Sequence, residues 1–445
     1  MPGGVTQPKD QHRPHGLAGG DGLYTGRDQG GHPSFTCEMS HVFRFQRSNR
    51  HPTLAFIATF TILLATLSPA AGAPGPSGEP APSTSIASPD VTAQSVFSFD
   101  LASGITLYEK NPDERMQIGS TVKVVTALVV MQRGDPADEV LIDESDTVDI
   151  TVYSNMQLQA GDTLTVGTLL YGLLIPSGSD GALALARHVG LDLCECDNID
   201  DARNAFYQAM NDYAAELGLE NSRFTNASGI DAENAYSSAR DIALLFGELS
   251  KNERLAGIVA EPAYSFDSIG TTPRNYQSQT TNQLLGQLGV IGGKTGSTEA
   301  AGGCVVLARQ VNDGSNTVIS AVLGADLEYQ DSVIVEGSDE RWNDARAIFS
   351  GMDEQFTWVT PGAEGTFPGL AEEMAVWQVQ FNDPPTIPYP ASGVTPAYQL
   401  VLRNAPEADA EGGAVRLYYD QEQVGSVPVY YTTAQSASTA DEPGR

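Results

Sequence analysis

The chain has 445 residues, with 24 Lys+Arg against 56 Asp+Glu, and its net charge of -32 argues against any sequence-independent grip on nucleic-acid phosphates. At 41% hydrophobic and 18% charged the composition is that of a globular protein, long enough for a large core and a second module. Five of the six histidines (His12, His15, His32, His41, His51) fall in the first 73 residues, so a core beyond them keeps only His188. That excludes a zinc site of the H-E-x-x-H kind and leaves a Ser-His-Asp hydrolase with a single candidate base.

In chain order, residues 1–53 read as an N-terminal extension and basic n-region. Arg44, Arg47 and Arg50 precede the uncharged run Leu54–Leu67, and small residues follow from Ser68 to Ala73. Residues 54–73 therefore predict an export signal, either cleaved or kept as an anchor, and this is the one route to a membrane that the sequence offers. Cleavage after Ala73 would leave Pro74 first, so Ala70 competes as the site. Residues 1–38 serve no signal purpose, and a start at Met39 gives an n-region of ordinary length. Residues 74–93 are Pro/Ser-rich and read as a flexible spacer, with order resuming near Val91.

Ser95–Asp100 and Thr106–Lys110 flank the turn Ala102–Gly104 and predict a hairpin. Ser120–Arg133, stopped by Gly134, predicts a largely buried helix. Leu169–Val189 reads as two helices broken at Pro176–Gly178, Asp201–Leu217 as an amphipathic helix, and Asp241–Leu249 as another. Gly302–Gln310 and Thr317–Leu323 form a hairpin through Asn312-Asp313-Gly314, and Arg341–Phe349 is the final helix. Strands at both ends with helices between them predict a layered α/β (α+β) domain over 94–351. Residues 355–432 are punctuated by proline and predict a small β module with strands near 376–381, 397–403, 414–419 and 427–431. Residues 433–445 form a tail without an amphipathic helix. Beyond Cys37 three cysteines remain, so at least one thiol is unpaired; Cys304, in an apolar run, reads as a buried small hydrophobe.

Three short signatures carry the chemistry. In Ser120-Thr-Val-Lys123 the i,i+3 spacing on a helix puts an amine on the face of a hydroxyl, where a lysine of lowered pKa can act as base. The bland reading is a Ser N-cap with a solvated Lys. Ser177-Gly178-Ser179-Asp180 offers a hydroxyl to relay a proton, or simply a Ser N-cap. Lys294-Thr295-Gly296, with Ser297 after it, offers a strand able to hold a carboxylate. A Walker A loop fails because its first glycine would fall at Leu288. Only five lysines occur in the chain, which makes two of them in ordered motifs hard to ascribe to chance.

Taken in order, S-x-x-K, a Ser-x-Asn-like element and K-T-G resemble the low-molecular-weight penicillin-binding proteins, the dacA-like serine D-alanyl-D-alanine carboxypeptidases of peptidase family S11. The similarity runs from about Ser95 to Phe349 and includes Leu107–Arg115, Met210–Gly218, Phe224–Gly229, Ser238–Ala243, Thr281–Leu285 and Gly293–Gly302. The resemblance implies a β-lactamase/transpeptidase-like catalytic domain followed by a β-rich C-terminal domain, working outside the cytoplasm and without metal or organic cofactor. By position it makes Ser120 the acylated nucleophile, Lys123 its base and Ser177 the proton relay, with Ser179 in the second motif. Lys294, Thr295, Gly296 and Ser297 become the substrate-binding strand, and the backbone N–H groups of Ser120 and Ser297 the oxyanion hole.

The chain departs from the pattern at Ser179, where Asn is usual, at Ala235 in place of His, and at Gly119 in place of Ala. The implied partners are peptidoglycan stem peptides, with β-lactams as covalent inhibitors. The alternatives are a β-lactamase, against which no Glu-x-x-Leu-Asn element is evident, and a non-catalytic wall-binding protein on the same fold. Lys123 is expected to be buried with a lowered pKa, and Lys294 to face solvent and stay charged.

Overall fold

Residues 94–100 carry hydrophobic side chains at both parities, the pattern of a strand covered on two faces. The computed structural model describes residues 89–330, 333–382, 385–403 and 411–432, so the signal segment and the tail lie outside it. Strand β1 (Ser95–Asp100) is buried along its whole length and forms the expected hairpin with β2 (Thr106–Lys110). Late in the chain come β3 (Val290–Thr298), β4 (Gly302–Val311) and β5 (Asn316–Ala325). Together they make one antiparallel sheet of order β2-β1-β5-β4-β3, with Ser98 opposite Ser320 at its centre.

Each face of the sheet is sealed by its own apolar cluster. Phe97, Phe99, Val306, Ile319 and Leu323 meet the helical layer, made of α1 (Lys123–Arg133), α2 (Val166–Leu174), α3 (Ser179–Cys194), α4 (Ile199–Glu216) and α5 (Ala239–Lys251). Val96, Val305, Val318 and Val322 meet α6 (Arg341–Gln355) through Trp342, Ile348 and Phe349. Burying two such faces is the dominant favourable term for the domain. The segment before β1 is also tied down, because Asp344 of α6 accepts from Thr92 N, Thr92 Oγ1 and Ala93 N.

The helix expected from Ser120 divides in two: Gly119–Val122 is a 3-10 turn and α1 starts at Lys123. The break at 176–178 falls as expected between α2 and α3. Cys194 and Cys196 form a disulfide at the end of α3, and Cys304 is buried and free, its thiol pushed up to about 11 by burial.

Beyond α6 the chain builds β6 (Phe356–Val359), α7 (Leu370–Val376), β7 (Val379–Gln380), β8 (Ile387–Pro390), β9 (Pro396–Leu402), β10 (Glu411–Tyr419) and β11 (Glu422–Tyr431). The last three join β7 in a sheet of order β7-β11-β10-β9. Two expectations are corrected here. Arg341–Phe349 is not the final helix, because α7 follows it, and Val376 ends that helix instead of opening a strand. Leu370 and Met374, four apart on α7, are the reason: they insert together into the module's core beside Phe367, Val415 and Leu417. Ile105, from the turn between β1 and β2, joins the same core. Among the described residues no helix is long and apolar enough to cross a membrane.

Candidate active site

The nucleophile turn is pinned by backbone against backbone. A Cβ at Gly296 would lie 2.4 Å from the Ile118 carbonyl and 3.0 Å from Ser120 N, so the middle of β3 presses directly on Gly119–Val122. Gly119 has φ +52, and a Cβ there would lie 2.9 Å from Ser297 N. Glycine at both positions is what brings the N–H groups of Ser120 and Ser297 into one neighbourhood.

Ser120 is only partly exposed, and Lys123, on the first turn of α1, is wholly buried. Its Nζ lies 2.8 Å from Ser120 Oγ and 3.4 Å from Ser179 Oγ, and it donates to the Ser228 carbonyl. Burial brings this amine down from the ordinary lysine range to about 7, and the buried Asp180 carboxylate pulls the other way. The solvated-lysine reading of Ser120-Thr-Val-Lys123 is therefore excluded, and Ser120 makes no capping bond.

Ser177 stands in the α2–α3 loop at φ +67, an unusual backbone state for serine and one found at functional sites. Its Oγ accepts from Lys294 Nζ at 2.7 Å, and the same amine donates to the Thr295 carbonyl at 2.7 Å. Neither serine of this loop caps α3, whose N-cap is Gly178 without a side-chain bond. Asp180 holds the loop instead: its carboxylate accepts from the N–H groups of Met156 and Leu158, in the irregular segment before α2, and from Gly181. The Ser179 N–H bonds the Ser154 carbonyl.

Lys294 departs from expectation. It is 1% exposed, not solvent-facing, because its stem runs under the α2–α3 loop to reach Ser177. Burial, with Lys123 and Arg341 as positive neighbours, holds its pKa well below the usual lysine value. Thr295 is linked side chain to side chain with Thr281 at 2.6 Å. Behind Ser297 sits Arg341, the first residue of α6 and itself 2% exposed. Its guanidinium donates to the Gly296 and Cys304 carbonyls at 2.8 and 2.9 Å and to Ser297 Oγ at 2.6 Å.

All eight residues singled out from the sequence, Ser120, Lys123, Ser177, Ser179, Lys294, Thr295, Gly296 and Ser297, thus belong to one constellation. Sequence reasoning missed three contributors. Asp180 stood inside a quoted motif without a role; Arg341 opens an unremarkable helix; and Ser228 acts through a carbonyl, which no residue type can signal. His188 lies further along α3, with Nε2 3.8 Å from Asp138, and takes no part.

A serine hydroxyl, a buried amine near neutrality and a strand edge with a second amine define a serine acyl-transfer site on a layered α/β fold. Residues 82–327 match the profile of peptidase family S11, described as D-alanyl-D-alanine carboxypeptidase. A D-alanyl-D-alanine carboxypeptidase of Streptomyces sp. (strain K15) is 34% identical over 252 residues, 55% of this chain and 84% of the relative. DacC of Escherichia coli (strain K12), also named a D-alanyl-D-alanine carboxypeptidase, is 33% identical over 252 residues, 54% of this chain and 58% of its own length. The crystal structure of the Streptomyces K15 DD-transpeptidase superposes with a TM-score of 0.54 at 32% identity, covering 60% of this chain and 98% of that one. The chain belongs to the D-alanyl-D-alanine carboxypeptidases of peptidase family S11.

Proposed function

We propose that the chain removes the terminal D-alanine from peptidoglycan stem pentapeptides, outside the cytoplasm, through an acyl-enzyme on Ser120. Neutral Lys123 takes the Ser120 proton as the hydroxyl attacks the carbonyl between the two D-alanines. The N–H groups of Ser120 and Ser297 stabilise the resulting oxyanion. Ser177 delivers a proton to the departing D-alanine amine and is resupplied from Lys294. Water then attacks the acyl carbonyl, passing its proton through Ser177 to Lys294 while Lys123 returns its own to Ser120 Oγ, so the shortened peptide leaves and both lysines regain their starting states. The observation that carries this reading is the 2.8 Å contact between Ser120 Oγ and an amine whose pKa is about 7, since it supplies a base without histidine.

The buried Lys294 adds a feature to substrate recognition. Protonated, it is the natural partner of the substrate's terminal carboxylate, and the arriving anion offsets the repulsion from Lys123 and Arg341. Substrate binding therefore favours the protonated form of this amine. β-Lactams are inhibitors in this scheme because they acylate Ser120 and leave slowly. Among the described residues, the groups bonded to Ser120 Oγ are Lys123 Nζ and the Ser228 carbonyl. Residues 94–351 are the catalytic domain in this reading and 355–432 an added β domain. Residues 54–73 direct export and either leave with the signal or hold the protein at the membrane.

Incubation with a fluorescent penicillin, followed by assay of D-alanine release from a stem pentapeptide, tests the proposal. Stable labelling with release is expected. Rapid loss of label would mark a β-lactamase, and absence of labelling a wall-binding protein.

A further inference from the structure

Strand β9 (Pro396–Leu402) ends the sheet of the C-terminal module, pairing with β10 on one side and, among the described residues, with no strand on the other. A bare edge presents a row of N–H and C=O groups to any other chain, and soluble proteins guard such edges with charges, bulges or brevity. The sheet's opposite edge, β7, is two residues long, and β2 at the edge of the catalytic sheet carries Glu109 and Lys110. On β9 itself none of these devices is present, and the charges beside it are Glu372 and Glu373 of α7, the latter hydrogen-bonded to the Tyr398 side chain. The strand's own sequence, Pro-Ala-Tyr-Gln-Leu-Val-Leu, has no charge in a chain of net charge -32, and it pairs with β10 over all seven residues without a bulge. Its single proline stands at the first position, where it leaves the rest of the edge open. Beside it runs a groove of about 570 Å³, lined by Pro368, Glu373 and residues 396–400.

We propose that β9 is a self-association edge, on which two copies of this chain pair antiparallel about a two-fold axis at Gln399. The argument is self-complementarity. A two-fold through Gln399 sets Tyr398 opposite Leu400 and Pro396 opposite Leu402, and side chains of equal parity stay on one face. Tyr398, Leu400 and Leu402 already border the module's apolar core, so the pairing would extend that core across the axis, and Leu400 of the second copy would enter the groove beside Tyr398. Two strongly anionic molecules repel; the strip carries no charge along its own seven residues, while Glu372 and Glu373 beside Tyr398 add to the repulsion that salt must screen. The joined sheet would have eight strands.

Sedimentation velocity on the protein in the form the cell exports, from roughly 1 to 100 µM, reads this directly. A dimer that grows with concentration is expected, and it should tighten as sodium chloride rises from roughly 0.05 to 0.5 M, because salt screens the repulsion. Gln399→Glu, at an exposed position remote from Ser120, sets two negative charges on the axis of an already anionic pair and should weaken association about fivefold, with penicillin labelling unchanged. Gln399→Cys should give an interchain disulfide under mild oxidation, and Ser426→Cys, on the exposed outer face of β11, should not. A chain that stays monomeric at every concentration and salt overturns the proposal. So does a dimer that Gln399→Glu leaves intact and Gln399→Cys fails to lock. Because penicillin labelling is read separately, failure here is distinguishable from failure of the acyl-enzyme reading.

Discussion

The two lysine seats of the active site are alike in burial and different in company. Lys123 reaches two hydroxyls and a carbonyl, and the buried Asp180 attracts it; Lys294 reaches one hydroxyl and one carbonyl, and Arg341 repels it, while the two amines repel each other. The lesson is that desolvation alone does not assign roles. Both amines are pushed down, but one touches Ser120, the proposed nucleophile, whereas the other touches Ser177 of the α2–α3 loop and the Thr295 carbonyl of β3.

The sharpest test of that difference exchanges each lysine for arginine, which keeps the charge and cannot deprotonate. Lys123→Arg should lower the acylation rate by about 10²- to 10⁴-fold with every substrate, the usual worth of a general base. Near-parental acylation by this variant, followed by penicillin labelling kinetics, would remove lysine from the base role. Lys294→Arg should raise KM for substrates with a free carboxylate by roughly tenfold or more and leave an ester lacking that group much less affected. Equal losses on both substrates would merge the two seats into one function.

The pH profile should separate them without mutation. Lys123 must be neutral to act, so acylation by the ester should rise with pH through about 7 and then level off. Lys294 must be protonated to hold a carboxylate, and its pKa is depressed in the free site, so kcat/KM for carboxylate substrates should fall again at higher pH. The expected outcome is a bell for the peptide and a single rise for the ester. A single rise for both would mean that Lys294 binds no anion. Ser179→Ala removes only the longer of the two hydroxyl contacts to Lys123, at 3.4 Å, and should cost about fivefold in acylation rate, in line with one ordinary hydrogen bond. His188→Ala should change turnover less than twofold, since its ring lies against Asp138 and away from both seats. A thousandfold loss with the fold intact would reinstate histidine as the base.

Much of this was legible in the sequence because it is local. The spacing of Ser120 and Lys123, the break at Pro176–Gly178 and the hairpin turns depend on neighbours a few residues away, and the structure keeps each of them. The burial of Lys294 was not legible, since K-T-G on a strand says nothing about the loop that will cover its amine, and that loop lies more than a hundred residues earlier in the chain. Arg341 is the same kind of case: its bonds to Gly296, Ser297 and Cys304 exist only because α6 packs behind β3 and β4. Helix α7 was hidden for another reason. The prolines around it, Pro361 and Pro368 before and Pro384 and Pro385 after, marked the region as irregular, and its seven residues are too few to impose a period of 3.6.

The pairing of Ser98 with Ser320 has a consequence for how the enzyme comes into being. The first strand of the sheet waits for the last: until β5 has been synthesised, β1 has a partner on one side only, and Phe97 and Phe99 have no completed layer to lie in. Closing so long a loop of chain must precede the contacts that reward it, which places this topology among slow folders. Ser120 and Lys123 are made early but gain Gly296, Lys294 and Arg341 only when β3, β4, β5 and α6 arrive. A nascent chain therefore carries Ser120 and Lys123 without the rest of their site, which is completed only when the last strands and α6 arrive.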